Sequence, residues 1–267
     1  MICLEDGLKC YGSYCSNRLF INYITGRWFD LDKGLSEVED VARRAVEDVI
    51  ERFYCLSVSA SPWDKFEVLT AAFLSRNTDY HRNTVRWVKS LLHKLSNTNI
   101  DSANGIVRAA FLTYNEYRSY QLHQLTEVLS EILSALQAVS AMDVETIRKQ
   151  LIKIKHLGPK VVDSFLLHSG LETIHAPVDI HYLRFLKKYG LLRDVFTYPR
   201  KKYCTEFNCY TCPIARKCVY AYTIKMFKNL NGFIQTASYV SGKLKVESCR
   251  DLGGSNLRSL LEKITAS

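Results

Sequence analysis

Two side chains and one cysteine cluster in this chain are of types and spacings that could do chemistry. The first side chain is Lys160. Residues 151–168 read Leu-Ile-Lys-Ile-Lys-His-Leu-Gly-Pro-Lys-Val-Val-Asp-Ser-Phe-Leu-Leu-His. The pattern predicts a helix, a short break at His156-Leu157-Gly158, and a second helix from about Pro159-Lys160, with proline at a favoured first position. Such a break turns backbone N–H groups and a positive helix end outward, an arrangement that can hold a phosphate. Lys160 falls in the first turn, where a cation opposes the helix dipole, and Lys155 is close by. Both features favour the neutral amine, the form that attacks carbon. The plainer alternative is an exposed lysine on an ordinary helix hairpin.

The second side chain is Asp179, in Ala176-Pro-Val-Asp-Ile-His-Tyr-Leu-Arg184. It sits where a helix N-cap would sit, so capping is its plain role. His181 and Arg184 follow within two turns as candidate phosphate contacts. An acid and an amine brought together suggest nucleophilic or acid–base catalysis.

The cluster is Cys204, Cys209, Cys212 and Cys218, with gaps of four, two and five residues. Four thiolates so close suit a tetrahedral zinc site or a [4Fe–4S] cluster, and spacing alone does not separate them. Lys201, Lys202, Arg216 and Lys217 surround them. A metal-folded loop would hold these charges against a phosphate backbone. The chain has nine cysteines. An odd number without a secretory signal argues against a secreted disulfide framework, and Cys10 and Cys15 read as core thiols.

Charge points to a partner. The net charge is +9 over 267 residues. Residues 141–230 hold 16 basic and 7 acidic residues, so the whole excess lies beside these motifs. A concentrated basic stretch is the footprint expected for DNA or RNA, the alternative being a solubilising face. No apolar run reaches the roughly 18–20 residues a membrane span needs. The N-terminus lacks the basic-then-apolar pattern of a signal peptide. The expectation is a soluble intracellular protein, in the cytoplasm or nucleoid if its source is prokaryotic.

The elements that must position these residues read as helices. Ser36-Glu-Val-Glu39 has the form of a capping box, followed by apolar residues at helical spacing to Phe53. Ser61-Pro-Trp-Asp64 reads as a helix start with Ser61 as cap. Helical patterns follow at about 83–95, 100–112, 118–138, 143–153, 160–168 and 179–189. Residues 1–34 are rich in aromatic and β-branched types and read as an extension with strands.

The order hairpin, Gly-Pro-Lys, helix, then Pro177-Val-Asp-Ile-His181, then four cysteines resembles the helix-hairpin-helix DNA glycosylase superfamily. In layout it resembles the endonuclease III branch, which carries an iron–sulfur cluster. Gly158-Pro-Lys-Val-Val-Asp163 is also similar to the 8-oxoguanine glycosylase branch. Leu74-Ser-Arg-Asn-Thr-Asp79 resembles the first barrel helix and the following loop, whose polar residue enters the DNA stack. These matches cover about residues 60–220.

The resemblance implies a bifunctional glycosylase and lyase acting on duplex DNA with damaged bases or abasic sites. Lys160 falls on the Schiff-base lysine and Asp179 on the catalytic aspartate. Arg76 and Asn77 fall near the wedging position. His156, Leu157 and Gly158 fall on the phosphate-gripping hairpin. The cysteines imply [4Fe–4S], with zinc as the alternative. Base flipping would be required to expose C1′. Two departures stand out. Histidine at 156 replaces a glycine suited to positive φ, which predicts an altered hairpin in which Lys155 and His156 add phosphate contacts. The loop after Leu74 is one residue shorter.

The expected architecture is an all-α monomer of two helical domains with a cleft between them. Residues 60–165 form a six-helix barrel domain ending in the hairpin. Residues 166–230 form the aspartate and cysteine domain, with 35–59 packed on it. Residues 1–34 and 231–267 are extensions. Two other readings stay open. One is a monofunctional glycosylase in which Asp179 activates water and Lys160 only binds phosphate. The other is a non-catalytic metal-dependent DNA-binding module.

Overall fold

The computed structural model describes residues 31–252 except 55, 57, 59, 63, 97–102 and 193–195. The expected strands in residues 1–30, the two thiols Cys10 and Cys15, and the extension beyond 252 lie outside the described residues. Among the described residues the protein is all-α, apart from one isolated parallel bridge between Thr197 and Cys218. No helix among them is long and apolar enough to cross a membrane.

Six helices enclose the first core. They are α3 (Lys65–Leu74), α4 (Val85–Ser96), α5 (Ala103–Tyr117), α6 (Tyr120–Ala138), α7 (Val144–Lys153) and α8 (Pro159–His168). Helix α3 is buried from Val68 through Leu74, as a helix apolar on every face must be. It packs on α8, α6 and α4. Its own Leu69 and Phe73, with Leu91, Leu122, Ile152 and Phe165 around it, are fully buried, each stabilising the fold by roughly 1.5–3 kcal/mol. Local caps set two of the starts. Ser119 Oγ accepts from Leu122 N at 3.2 Å, and Asp143 Oδ1 accepts from Thr146 N at 3.0 Å.

The second core is built from both ends of the described chain. Helix α2 (Asp40–Phe53) contributes Ala42, Val46, Val49 and Phe53. They meet α9 (Ile180–Lys188), α11 (Val219–Phe227) and α12 (Asn231–Leu244) in one apolar cluster. Residues 231–246 thus belong to this core rather than to an extension. Gly232 makes this packing possible. A Cβ there would lie 2.5 Å from Leu167 Cδ1 and 2.9 Å from Thr173 O. Helix α8 is the wall between the cores: Leu166 faces the first and Leu167 the second.

Several sequence readings shift. The Ser36–Glu39 capping box does not form. Helix α1 (Leu31–Glu37) runs through Ser36, whose hydroxyl donates to Lys33 O. Glu39 N donates to Met226 O at 3.1 Å, so a tertiary contact replaces the cap. The same helix makes residues 31–34 helical. Ser61 does not cap α3, which starts at Lys65. Its hydroxyl bonds the Asp64 carboxylate instead.

Candidate active-site cleft

A cleft of about 850 Å³ opens between the two cores. Lys160 reaches it from the first turn of α8, where Pro159 starts the helix. Asp179 reaches it from the N-cap of α9, and its Oδ1 accepts from Tyr182 N at 2.8 Å. The capping role is therefore real, and it fixes the carboxylate at the cleft wall. Arg76, Asn77, His156, Gly158 and His181 also line the cleft. Leu157 and Arg184 do not. Leu157 is fully buried in the barrel core, and Arg184 is exposed elsewhere on α9.

The hairpin keeps its left-handed residue although that residue is histidine: His156 has φ 64°. Its side chain helps to hold it there. His156 Nε2 lies 2.8 Å from Glu127 Oε2, and Lys155 Nζ lies 3.1 Å from the same oxygen. His156, then Lys155, holds the Glu127 carboxyl below the usual range. These two side chains thus bind α6 rather than reaching outward as extra phosphate contacts. Lys201, the first residue of α10 (Lys201–Glu206), also turns inward, donating to Ile154 O at 2.6 Å and Leu157 O at 3.1 Å. It ties the cysteine-bearing segment to the hairpin.

Arg76 is similarly engaged. It donates to Phe73 O, His156 O and Gln124 Oε1 at 2.8–3.1 Å, and lies over the Phe73 ring. Asn77 is exposed, with φ 50°. The turn after α3 therefore offers Asn77 to the cleft, while Arg76 latches that turn to the hairpin.

Helix α12 supplies cleft residues that the sequence reading missed: Gln235, Thr236, Tyr239 and Lys243. Burial, then the charges of Asp179 and Asp79, pushes the Tyr239 phenol up, so it stays protonated as a donor. His181 packs edge-on to Tyr239 with centroids 5.9 Å apart. A Cβ on Gly242 would sit 2.3 Å from His181 Nδ1, so glycine is what lets this ring lie against α12. Burial lowers the His181 pKa, the nearby Asp179 opposing it. Lys243 Nζ pairs with Asp79 Oδ2 at 2.8 Å and links the two walls of the cleft. The glycines of α12 hint at close approach, but nothing in the linear pattern says against what.

Behind the hairpin lies a second missed feature. Arg148 of α7 and Asp163 of α8 form a fully buried ion pair, with Nε–Oδ1 2.6 Å and Nη2–Oδ2 3.3 Å. The guanidinium also lies 4.2 Å from the Tyr220 ring centre. The four cysteines, all with free thiols, border one void of about 10 Å³ together with Arg148, space for about one water. Burial pushes the thiols of Cys204, Cys209 and Cys218 up, Cys209 to about 12. Among the described residues no group of three or more His, Cys, Asp or Glu side chains is set to hold a metal ion. The four thiols are donors of the type that bind zinc or an iron–sulfur cluster. The void itself would have to widen to admit a cluster.

No protein-family model matches the chain, and no curated protein does. Solved structures do. MBOgg1, solved in complex with a low-affinity DNA ligand, superposes with TM-score 0.55 at 16% identity, over 85% of this chain and 74% of its own. The 8-oxoguanine glycosylase/lyase of Clostridium acetobutylicum matches in its apo form, with TM-score 0.50 at 16% identity over 85% of this chain and 77% of its own. Its complex with DNA carrying cytosine opposite 8-oxoguanine matches with TM-score 0.52 at 15% identity, over 86% of this chain and 77% of its own. The chain shares the all-α fold of these glycosylases.

Proposed function

We propose that the protein is a bifunctional DNA glycosylase and abasic-site lyase that acts on a damaged base in duplex DNA. One observation carries the reading: a helix-starting lysine and a helix-capping aspartate, from different lobes, line the same cleft beside a helix hairpin. In this reading the cleft receives a nucleotide flipped from the duplex. The Lys160 amine attacks C1′, the C1′–N bond breaks, and the base leaves with the electron pair and takes up a proton. The attached amine gives up one proton, and its lone pair then opens the sugar ring to an iminium that keeps one N–H while O4′ takes up a proton. Loss of a C2′ proton then expels the 3′ phosphate by β-elimination. Asp179, anchored through Oδ1 to Tyr182 N, stabilises positive charge on the sugar and moves protons. A Cβ on Gly158 would meet nothing within 4 Å, so the backbone there stays open to a phosphate.

The names of the structural neighbours and the amide, hydroxyl and phenol groups of α12 in the cleft make 8-oxoguanine the first base to test. A panel of single-lesion duplexes checks the reading. The protein is expected to nick at one oxidised base without added alkali, and Asp179→Asn to bind DNA but release no base. Nicking only after alkali treatment means a monofunctional enzyme. Release of no base from any duplex favours the binding module.

Cys204, Cys209, Cys212 and Cys218 are the residues that would hold a [4Fe–4S] cluster, with zinc as the alternative. Its role there is a staple that fixes the loop beside the hairpin. Visible absorption of freshly purified protein, lost on Cys212→Ser, is the expected result. Colourless protein containing one zinc contradicts the cluster.

A further inference from the structure

Two large apolar side chains stand in solvent at the cleft. Ile180, next to Asp179, and Tyr198 are each 48% exposed, and both line it. Tyr198 is firmly held through its neighbours. Thr197 N donates to Lys217 O at 2.7 Å, and Val219 N donates to Thr197 O at 3.0 Å. The Thr197 hydroxyl also donates to Lys217 O. These bonds flank Cys218, so the ring projects from a backbone pinned at the fourth cysteine. Pro199 follows and restricts the chain further.

The surroundings are cationic. Arg200, Lys202, Arg216 and Lys217 are all exposed on the two segments joined by that bridge. An exposed aromatic ring set among exposed cations suits a nucleic acid, since every base has a face to stack and every nucleotide a phosphate. On the opposite wall, the described ring of Tyr80 packs against the first core and is only partly exposed. Arg76 is bonded to protein acceptors, and Asn77 has no ring.

We infer that Tyr198 is the stacking platform for a nucleobase beside the flipped nucleotide, with the cations of the two flanking segments on its phosphates. This rests on the DNA reading above and adds a residue and a surface to it. The test uses the full chain and a duplex carrying a tetrahydrofuran abasic-site analogue flanked by 2-aminopurine. Wild-type protein is expected to bind and quench the 2-aminopurine emission. Tyr198→Ala should bind about five-fold or more weakly, the loss of one base–aromatic stack, and should lose the quench. Tyr198→Phe should keep both. Lys202→Ala should weaken binding and flatten its salt dependence, yet keep the quench at saturation. Wild-type affinity and quenching in Tyr198→Ala overturn the assignment, as does loss of the saturated quench in Lys202→Ala. A wild-type protein that binds no duplex overturns the DNA reading itself.

Discussion

His156 holds a left-handed backbone at φ 64°, a conformation that costs an ordinary side chain about 1–2 kcal/mol. Its contact with Glu127 offsets part of that cost. A β-branched residue is least able to follow. His156→Val and His156→Gly both lose the Glu127 contact, so their difference isolates the backbone. Urea unfolding should find the valine variant less stable than the glycine variant by about 1–2 kcal/mol; equal stabilities would mean that the strain is absent. At this scale the sequence was informative where signals are local. The Asp179 cap is one such case, because acid, helix start and bonded N–H lie within four residues of chain. It was uninformative for Leu157. That residue belongs to the hairpin by position, yet its side chain fills the barrel core. Arg76 and Lys201 misled in a similar way, since no chain pattern reveals that their donors are taken by carbonyls far along the sequence.

Helices α7 and α8 are the element on which the site depends, and a buried ion pair fastens them. Arg148 and Asp163 are 1% and 0% exposed, and desolvated charges are tolerable only while paired. Arg148→Ala would strand a carboxylate in the core beside the cysteine void. Denaturant titration should find a loss of about 3–5 kcal/mol. Replacing both by apolar residues of similar volume should cost far less. A loss below about 1 kcal/mol for Arg148→Ala would contradict the clamp. Helix positions were mostly legible, because apolar period and caps are local. The pairing of Arg148 with Asp163 was not, for it depends on which faces of two helices meet. The Ser36 capping box failed for a related reason: Glu39 N found its partner on Met226 instead.

For the whole molecule, the basic excess and the site motifs fall in one stretch of chain. The basic excess lies in residues 141–230, which supply the hairpin, the Asp179 wall and the cysteine loop. Helix α12 adds Tyr239 and Lys243 from a segment whose sequence carries no recognisable motif, and Lys243 joins Asp79 across the cleft. The all-α class was readable from helical periods, and the central cleft from the resemblance that the motifs carry. The pocket lining was not, because it is assembled from helices distant in sequence. The central claim is that the Lys160 amine bonds covalently to the sugar. Borohydride trapping with a lesion-bearing duplex tests it most directly. The account predicts a stable protein–DNA adduct with the wild-type chain and none with Lys160→Ala. An adduct that persists in Lys160→Ala, or its absence from a wild-type protein that releases the base, would contradict it.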